Sequence, residues 1–560
     1  MTTPSQRVST LRRSRPIDLA ANGGGCDGLK RGGRAAVLAM ALLVIAIGLL
    51  VATASRAQTI TSTNPPFDPA PCPKPNLPGS PELDLDSHYH CGYLTVPLDH
   101  AYPAGPTLKI AVARVQAVSP NPKPDPIVYL TGGPGVSGLI RAPGVVARGV
   151  SADRDVIFVD QRSTLHADPF LNCPEIDTFN VALLGLAPTA ASTQAAQLAA
   201  TDSCHARLRA SGYNLAAFDT AQNAADIADL RTALGIKEWN IYGVSYGSDL
   251  ALTILRDHPA GVRSLVVDGV VPPQSVILND FWPDAATGYE TLIKACEAQP
   301  ACNAAYPNLR RELVDAVNTL DRHPLTVTVP ATAAISALAP LAVSADNTVN
   351  VVFDGYQMAN LLVQLSFGGK ELVYMPAIVH GLAHGDGTRA ATLLQQVATG
   401  TPAGSAGYPL LWGVFCREQM AFTSPAALLK SAQRALPGFP ASTLRLAPQI
   451  MQPYGDCKIW NVGKAGPKTH EMTKSGVPVL LLSGTFDLIT APREARVAAQ
   501  GLSNAHIVDI PGVGHNTVRN SACAAQVMVD FLNDPGPNSN TACVDSITIP
   551  PFKVPPFQPP

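Results

Sequence analysis

Three residues, far apart in the chain, each stand where an apolar run ends and a reactive side chain can be exposed. Ser245 lies in Gly243-Val244-Ser245-Tyr246-Gly247, a G-x-S-x-G pattern between the strand-like "EWNIY" and the helix-like "DLALTILRDHP". Small residues at 243 and 247 permit a sharp strand-to-helix turn, although such turns also occur without chemistry. Asp487 closes the apolar run "VPVLLLSGTFD", and His515 follows "AHIVDI" within "PGVGH". A serine hydroxyl is a weak nucleophile at neutral pH. It needs a base to take its proton, and the base needs a carboxylate to orient it. Taken in chain order, Ser245 is the expected nucleophile, Asp487 the orienting acid and His515 the base. Asp268, at the end of "VRSLVVDG", is the competing acid.

A tetrahedral intermediate also needs hydrogen-bond donors for its oxyanion. The backbone N–H of Tyr246, directly after the serine, is one candidate. The loop "LTGGPG" at 130–135 is the source of the other, with Gly133 favoured and Gly132 beside it. Asp160 and Arg162 in "VDQR" read as an ion pair or hydrogen-bond network near the site, not as a catalytic pair. His506 reads as a packed or exposed residue. His380 and His384 have helical spacing but no third ligand in the sequence, and no C-x-x-C or H-E-x-x-H run is present. No metal or organic cofactor is therefore expected.

These residues need a scaffold that brings strand ends together. "YLTVPLDH" and "TLKIAVARVQA" read as an opening antiparallel pair. "PIVYLTGGPG", "RDVIFVDQR", the amphipathic "TAQNAADIADLRTALG", "EWNIYGVS" and "VRSLVVDGV" then alternate strand and helix. That rhythm predicts an α/β fold with a mostly parallel sheet flanked by helices. It breaks near 271, where the chain becomes helix-rich and irregular, and resumes with "VPVLLLSGTFD". The expected organisation is a basic leader (1–34), an export segment (35–57), a Pro-rich linker (58–84), core (85–270), a helical cap (271–470), core again (471–535) and a Pro-rich tail (536–560).

A net charge of −2 with 15% charged residues offers nothing to nucleic acid or to an anionic surface. Residues 35–54 are apolar and uncharged, and basic residues precede them. They read as a cleaved signal peptide or an uncleaved anchor, which would be the chain's one membrane contact. Either way the rest of the chain is expected to be exported. Of the 11 cysteines, Cys26 precedes this segment and the other ten follow it, an even number suited to disulfides. Proximity in sequence suggests Cys72–Cys91, Cys173–Cys204, Cys296–Cys302, Cys416–Cys457 and Cys523–Cys543. Linker and tail, rich in the chain's 51 prolines, are not expected to pack as regular structure.

Taken together, "GGPG", "DQR", "GVSYG", "VPVLLLSGTFDLITAP" and "PGVGH", in this order, resemble the α/β-hydrolase peptidases of the prolyl iminopeptidase and tripeptidyl aminopeptidase type. "LNCPE", "ACNAAYPNL", "CREQ" and "CKIW" resemble its exported branch. The resemblance runs over roughly 85–530. It implies removal of one or a few residues from the free N-terminus of a peptide through an acyl-enzyme, with the three roles above at Ser245, Asp487 and His515. It also implies an acidic group that holds the substrate's α-ammonium, for which Glu418 in "CREQ" is the candidate. The chain departs from the family pattern at "DQRSTLHADP", where two glycines of a Gly-Thr-Gly run are lost, at Asn516 after the histidine, and at Gln419, where a second acid is often found. A carboxylesterase or lipase using the same triad is the alternative enzyme. A non-catalytic binding protein is the remote one. Oligomeric state is left open.

Overall fold

The computed structural model describes residues 65–74, 88–338, 342–399, 404–536 and 540–556. The leader and export segment lie outside these residues. Among the described residues, no helix is long and apolar enough to cross a membrane.

Eleven strands are formed by the described residues. They are β1 (Phe67–Pro69), β2 (Tyr89–Pro97), β3 (Thr107–Val115), β4 (Ile127–Leu130), β5 (Val156–Val159), β6 (Trp239–Val244), β7 (Val262–Asp268), β8 (Leu325–Pro330), β9 (Thr348–Phe353), β10 (Val479–Gly484) and β11 (Ala505–Ile510). Nine build one sheet in the order β1-β2-β3-β5-β4-β6-β7-β10-β11. From β5 to β11 the neighbours are parallel, and the β1, β2 and β3 edge is antiparallel. Strands β4, β5, β6 and β10 are buried along their whole length, as parallel strands covered on both faces must be. Alternate residues supply opposite faces. Val128 and Leu130 join one apolar layer, Ile127 and Tyr129 the other.

The order of these strands decides where a site can form. From β4 the chain moves outward to β5, then crosses back to β6 on the other side of β4. At such a reversal the connecting segments part, leaving a crevice at the carboxyl ends of β4 and β6. Those ends carry "LTGGPG" and Ser245.

Helices cover the sheet: α1 (Ala191–Ala210) and α2 (Thr220–Ala233) before β6, and α3 (Tyr246–Asp257) after it. Between β7 and β10 the chain leaves the sheet and builds α4 (Phe281–Glu297), α5 (Leu309–Arg322), α6 (Gly355–Leu365) and α7 (Met375–Ala383) around an apolar core of its own, while α8 (Pro453–Trp460) packs Trp460 into the core of the sheet layer. Helices α9 (Pro492–Ala499) and α10 (Ala522–Asn533) complete the sheet layer.

The structure corrects three expectations. The insert is not purely helical: β8 and β9 pair antiparallel within it. Their alternation, "LTVTVP" and "TVNVVF", fits a half-buried ribbon. The Pro-rich linker contributes β1, which pairs with β2 beside the Cys72–Cys91 bond. The tail docks as well. Tyr306 Oη donates to the Lys553 carbonyl (2.9 Å), Phe552 is buried, and its ring lies 6.2 Å from that of Phe486. Proline removes a ladder donor but leaves carbonyls and side chains free to dock an extended segment. All five disulfides are formed with the partners that proximity suggested.

Candidate active site

Ser245 occupies a backbone conformation that side chains rarely adopt, φ 57° and ψ −127°, between the end of β6 and the first residue of α3. The glycines around it are sterically required. A β-carbon at Gly243 would stand 2.2 Å from the Gly247 carbonyl oxygen, and one at Gly247 would stand 2.0 Å from that of Leu130. The elbow is thereby pressed onto the end of β4. Gly132, in the loop after β4, lies against the serine itself. A β-carbon there would meet Ser245 Cβ at 2.6 Å and Oγ at 3.1 Å. Gly133 has φ 118°, open to glycine alone. Tyr246 begins α3, so its N–H belongs to the first turn, whose amides have no partner within the helix.

His515 follows β11 and is buried. Its Nδ1 lies 2.8 Å from Asp487 Oδ2. Asp487 is fixed in turn by the N–H groups of Ile489 (2.8 Å) and Thr490 (3.0 Å) and by the Thr490 hydroxyl (2.8 Å). A carboxylate accepts from Nδ1–H, so Nε2 of the neutral ring carries the lone pair. That atom is buried and makes no hydrogen bond in this structure, and in sites without substrate the serine–histidine bond is often long. Burial works to lower the His515 pKa; the charge and hydrogen bond of Asp487 outweigh it, and the pKa is raised. The ring lies over Gly269, the residue after β7, where a β-carbon would come within 2.7 Å of Cε1. The insert also reaches it: His515 N–H donates to the Ser366 carbonyl (2.7 Å), and Phe367 meets the ring edge-on at 5.1 Å.

Asp268, the competing acid, is differently employed. It accepts from Thr517 N–H (2.8 Å), the Thr517 hydroxyl (2.9 Å) and Val518 N–H (3.0 Å), and so holds the turn that follows His515. Asp160 and Arg162 do not pair with each other. Arg162, fully buried, binds Asp226 through two nitrogens at 2.7 and 2.8 Å. Asp160 binds Ser137, Leu139 N–H and His166. His506 is half-buried in β11, its pKa lowered by burial.

Glu418 lies in a turn of π-helix, Val414–Gln419, and is buried. Both its oxygens are engaged. Oε1 accepts from Thr220 N–H and Oε2 from the Thr220 hydroxyl, each at 2.7 Å. A carboxylate suits this place, the positive end of α2, although burial, with Asp219 and Asp249 nearby, pushes its pKa well above the usual range. Tyr246 Oη contacts the same Thr220 hydroxyl at 3.2 Å. Gln419 Oε1 accepts from Ile277 N–H (2.9 Å). As the structure stands, Glu418 braces α2 against the elbow, each of its oxygens accepting one hydrogen bond from Thr220.

Sequence reading missed a different acidic group. Asp280 and Asp284 at the start of α4 face Arg493 and Glu494 at the start of α9, just beyond the Asp487 loop. Arg493 binds Asp284 (2.7 Å) and Asp280 (3.0 Å). It lies 3.1 Å from Glu494 Oε1 without the alignment of a hydrogen bond, and neither Glu494 oxygen nor Asp284 Oδ2 accepts one. Both carboxylates are buried. Burial, then the charge of Glu494, raises the Asp284 pKa well above its ordinary value; burial raises that of Glu494 to about 7. One turn along α4, a β-carbon at Gly288 would meet Leu488 Cγ at 2.5 Å, so this helix rests on the residue after Asp487. The available signal was Arg493-Glu494 itself, directly after "LITAP".

The α/β hydrolase fold family matches residues 125–294, and the TAP-like protein family matches residues 446–543. Tripeptidyl aminopeptidase of Streptomyces coelicolor is 31% identical over 206 residues, 34% of this chain and 37% of that protein. Serine protease Hip1 of Mycobacterium tuberculosis is 26% identical over 290 residues, 49% of this chain and 52% of that protein. Proline iminopeptidase of Xylella fastidiosa is 34% identical over 107 residues, 18% of this chain and 34% of that protein. The chain thus spans from about a third to about half of the length of these curated relatives. Sheet order and elbow already define an α/β hydrolase. The chain has the α/β-hydrolase fold, its C-terminal region is similar to TAP-like proteins, and its sequence is similar over part of its length to tripeptidyl aminopeptidase and proline iminopeptidase.

Proposed function

We propose that this chain is an exported serine aminopeptidase that removes one or a few residues from peptides with a free N-terminus. The observation that carries the reading is the His515–Asp487 pair, with Nε2 free, on the sheet edge that also presents Ser245. In this reading Ser245 Oγ attacks the scissile carbonyl while His515 Nε2 takes its proton, and Asp487 stabilises the imidazolium. The oxyanion is received by the N–H groups of Tyr246 and Gly133, with Gly132 beside them. His515 then gives its proton to the leaving amine, and water releases the acyl group by the same steps. Residues 271–470 serve as the cap that limits what reaches the serine. Five disulfides support export to an oxidising compartment. Whether residues 35–57 are cleaved or retained as an anchor is a matter for N-terminal sequencing of the exported protein.

Selection for a free N-terminus needs a negative site for the α-ammonium. Glu418 already accepts two hydrogen bonds from Thr220. Asp284 and Glu494 meet the requirement better: two buried carboxylates with unpartnered oxygens, answered by one arginine, beside the acid loop. An ammonium group entering there would find charge-assisted acceptors already desolvated.

The test uses aminoacyl, prolyl and tripeptidyl amides, each with free and acetylated N-termini, beside short-chain esters. Cleavage of the free-amine amides alone, abolished in Ser245→Ala, is the expected result. Ester turnover without amide cleavage would overturn the peptidase reading in favour of a carboxylesterase.

A further inference from the structure

Glu312, His380 and His384 form a cluster on the insert that the chemistry above does not use. His380 lies in the last turn of α7 and His384 is the residue that closes it. Four residues apart, they share one face, with ring centroids 4.2 Å apart. Helix α5 packs alongside α7 and brings Glu312, whose Oε2 lies 3.0 Å from His380 Nδ1. This is the third group that the sequence alone did not supply. One donor atom from each of the three residues lies within 4.8 Å of the other two. In a tetrahedral site with bonds of about 2.0–2.1 Å, donors stand roughly 3.3 Å apart. Closing on an ion therefore asks for small side-chain movements. His380 is 37% exposed and His384 is exposed, so little opposes them.

The hydrogen bonds aim the rings. His384 Nδ1 lies 2.8 Å from the His380 carbonyl oxygen. A carbonyl can only accept, so Nδ1 carries the proton and Nε2 of the neutral ring holds the lone pair. His384 is thus oriented as proteins orient imidazoles that bind metals. His380 Nδ1 stands 3.0 Å from Glu312 Oε2, near the spacing of two ligands on one ion, so Nδ1 is the ligand atom of that ring and the ion replaces the proton between the two. The other cluster of comparable composition, Cys173, Glu175 and Cys204, has no such capacity. Its sulfurs are joined to each other, and Glu175 is bound to Arg207.

We infer that Glu312, His380 and His384 bind a borderline divalent transition metal, Zn(II), through two imidazole nitrogens and one carboxylate oxygen, with water completing the shell. The ion clamps α5 to the end of α7. It acts on the stability of the insert and takes no part in chemistry at Ser245.

The full chain, stripped by chelator dialysis, would be titrated with Zn(II) by calorimetry and with Co(II) by visible absorption. One ion is expected per chain, with the intense bands of four-coordinate cobalt and a raised melting temperature. His380→Ala and His384→Ala should each weaken Zn(II) by at least about tenfold and abolish the melting shift. Glu312→Gln, which keeps a neutral oxygen in place, should weaken it less. Both histidines stand at the surface, so circular dichroism of the variants should match the parent. The inference is overturned if there is neither heat nor cobalt bands, or if affinity is unchanged in His384→Ala, which would put the ion elsewhere.

Discussion

Among the described residues, two sets of serine, histidine and aspartate, around Ser245 and around Ser137, are wired differently. On the Ser245 side, Asp487 touches His515 through Nδ1, and Nε2 is left without a hydrogen bond. Around Ser137, both partners converge on the acid. Ser137 Oγ donates to Asp160 Oδ1 at 2.6 Å, and His166 Nδ1 lies 2.8 Å from Asp160 Oδ2. The serine is 3.4 Å from that same Nδ1, while His166 Nε2 is buried without a partner. The proton of Ser137 therefore points at a carboxylate. Burial would raise the Asp160 pKa, but His166, Leu139 N–H and Ser137 outweigh it and lower it, so Asp160 is a poor base. Identical residue types give one proposed proton relay, with Ser245 part-exposed, and one structural knot, with Ser137 buried. The order of connection decides, together with an elbow that lifts only Ser245 off its strand.

The largest contrast should appear when each serine is removed. Ser245→Ala is expected to lower kcat by about 10⁴-fold or more. Ser137→Ala should leave kcat within a few-fold and be felt in the melting temperature. Equal losses of activity from both would mean that the second cluster also touches substrate. Replacing the acids sharpens the point. Asp487→Asn should cost about 10⁴ in kcat with the fold retained, because the ring loses its correct tautomer. Asp160→Ala leaves the donors of Ser137, Leu139 and His166 without an acceptor. Its effect should be destabilisation by at least about 3 kcal/mol in a denaturant melt.

Smaller effects separate substrate binding from chemistry. Asp284→Asn should raise KM for free-amine amides by roughly 10- to 100-fold, as losing one hydrogen bond to a charged group does, and leave kcat nearly unchanged. Equal loss on acetylated substrates would remove Asp284 from the ammonium site. The pH profile tests the base. His515 must be neutral to act, and its pKa is raised by Asp487. The acid limb of kcat/KM should then lie above the ordinary imidazole value of about 6.5, with activity rising through it. Stability linked to this group runs the other way. It is complete below the unfolded value and is lost as pH climbs through the raised folded one. Ser137→Ala should not move the limb; a shift would couple the two clusters.

Much of this contrast is legible in the chain, because the proposed catalytic set is announced locally. Ser245, Asp487 and His515 each end an apolar run, and small residues flank the first. What escaped depended on contacts across long separations. Glu418 meets Thr220, 198 residues away, and Arg162 meets Asp226, 64 residues away. No local pattern foretells either pairing, so neither the Thr220 contacts of Glu418 nor the Asp226 partner of Arg162 is visible in the sequence. Asp160 and His166, only six residues apart, were in view. Yet "DQRSTLHADP" was read for the glycines it lacks, not for the histidine it contains.

That loop offers the finest test. After "DQR" this chain has Ser163, at φ 66°. Its hydroxyl is buried with no hydrogen-bond partner. A left-handed conformation costs a residue with a side chain about 1 kcal/mol, and an unmet buried hydroxyl adds to this. Ser163→Gly should remove both, offset by the added freedom of glycine in the unfolded chain. A net gain of about 1 kcal/mol in denaturant melts is expected, with kcat unchanged. If stability falls instead, the strain is supported by a contact that this structure lacks. If stability rises while KM worsens, the loop has given up stability to place a hydroxyl against the substrate. The knot around Asp160, which holds the loop's far end through His166, would then be a support for specificity.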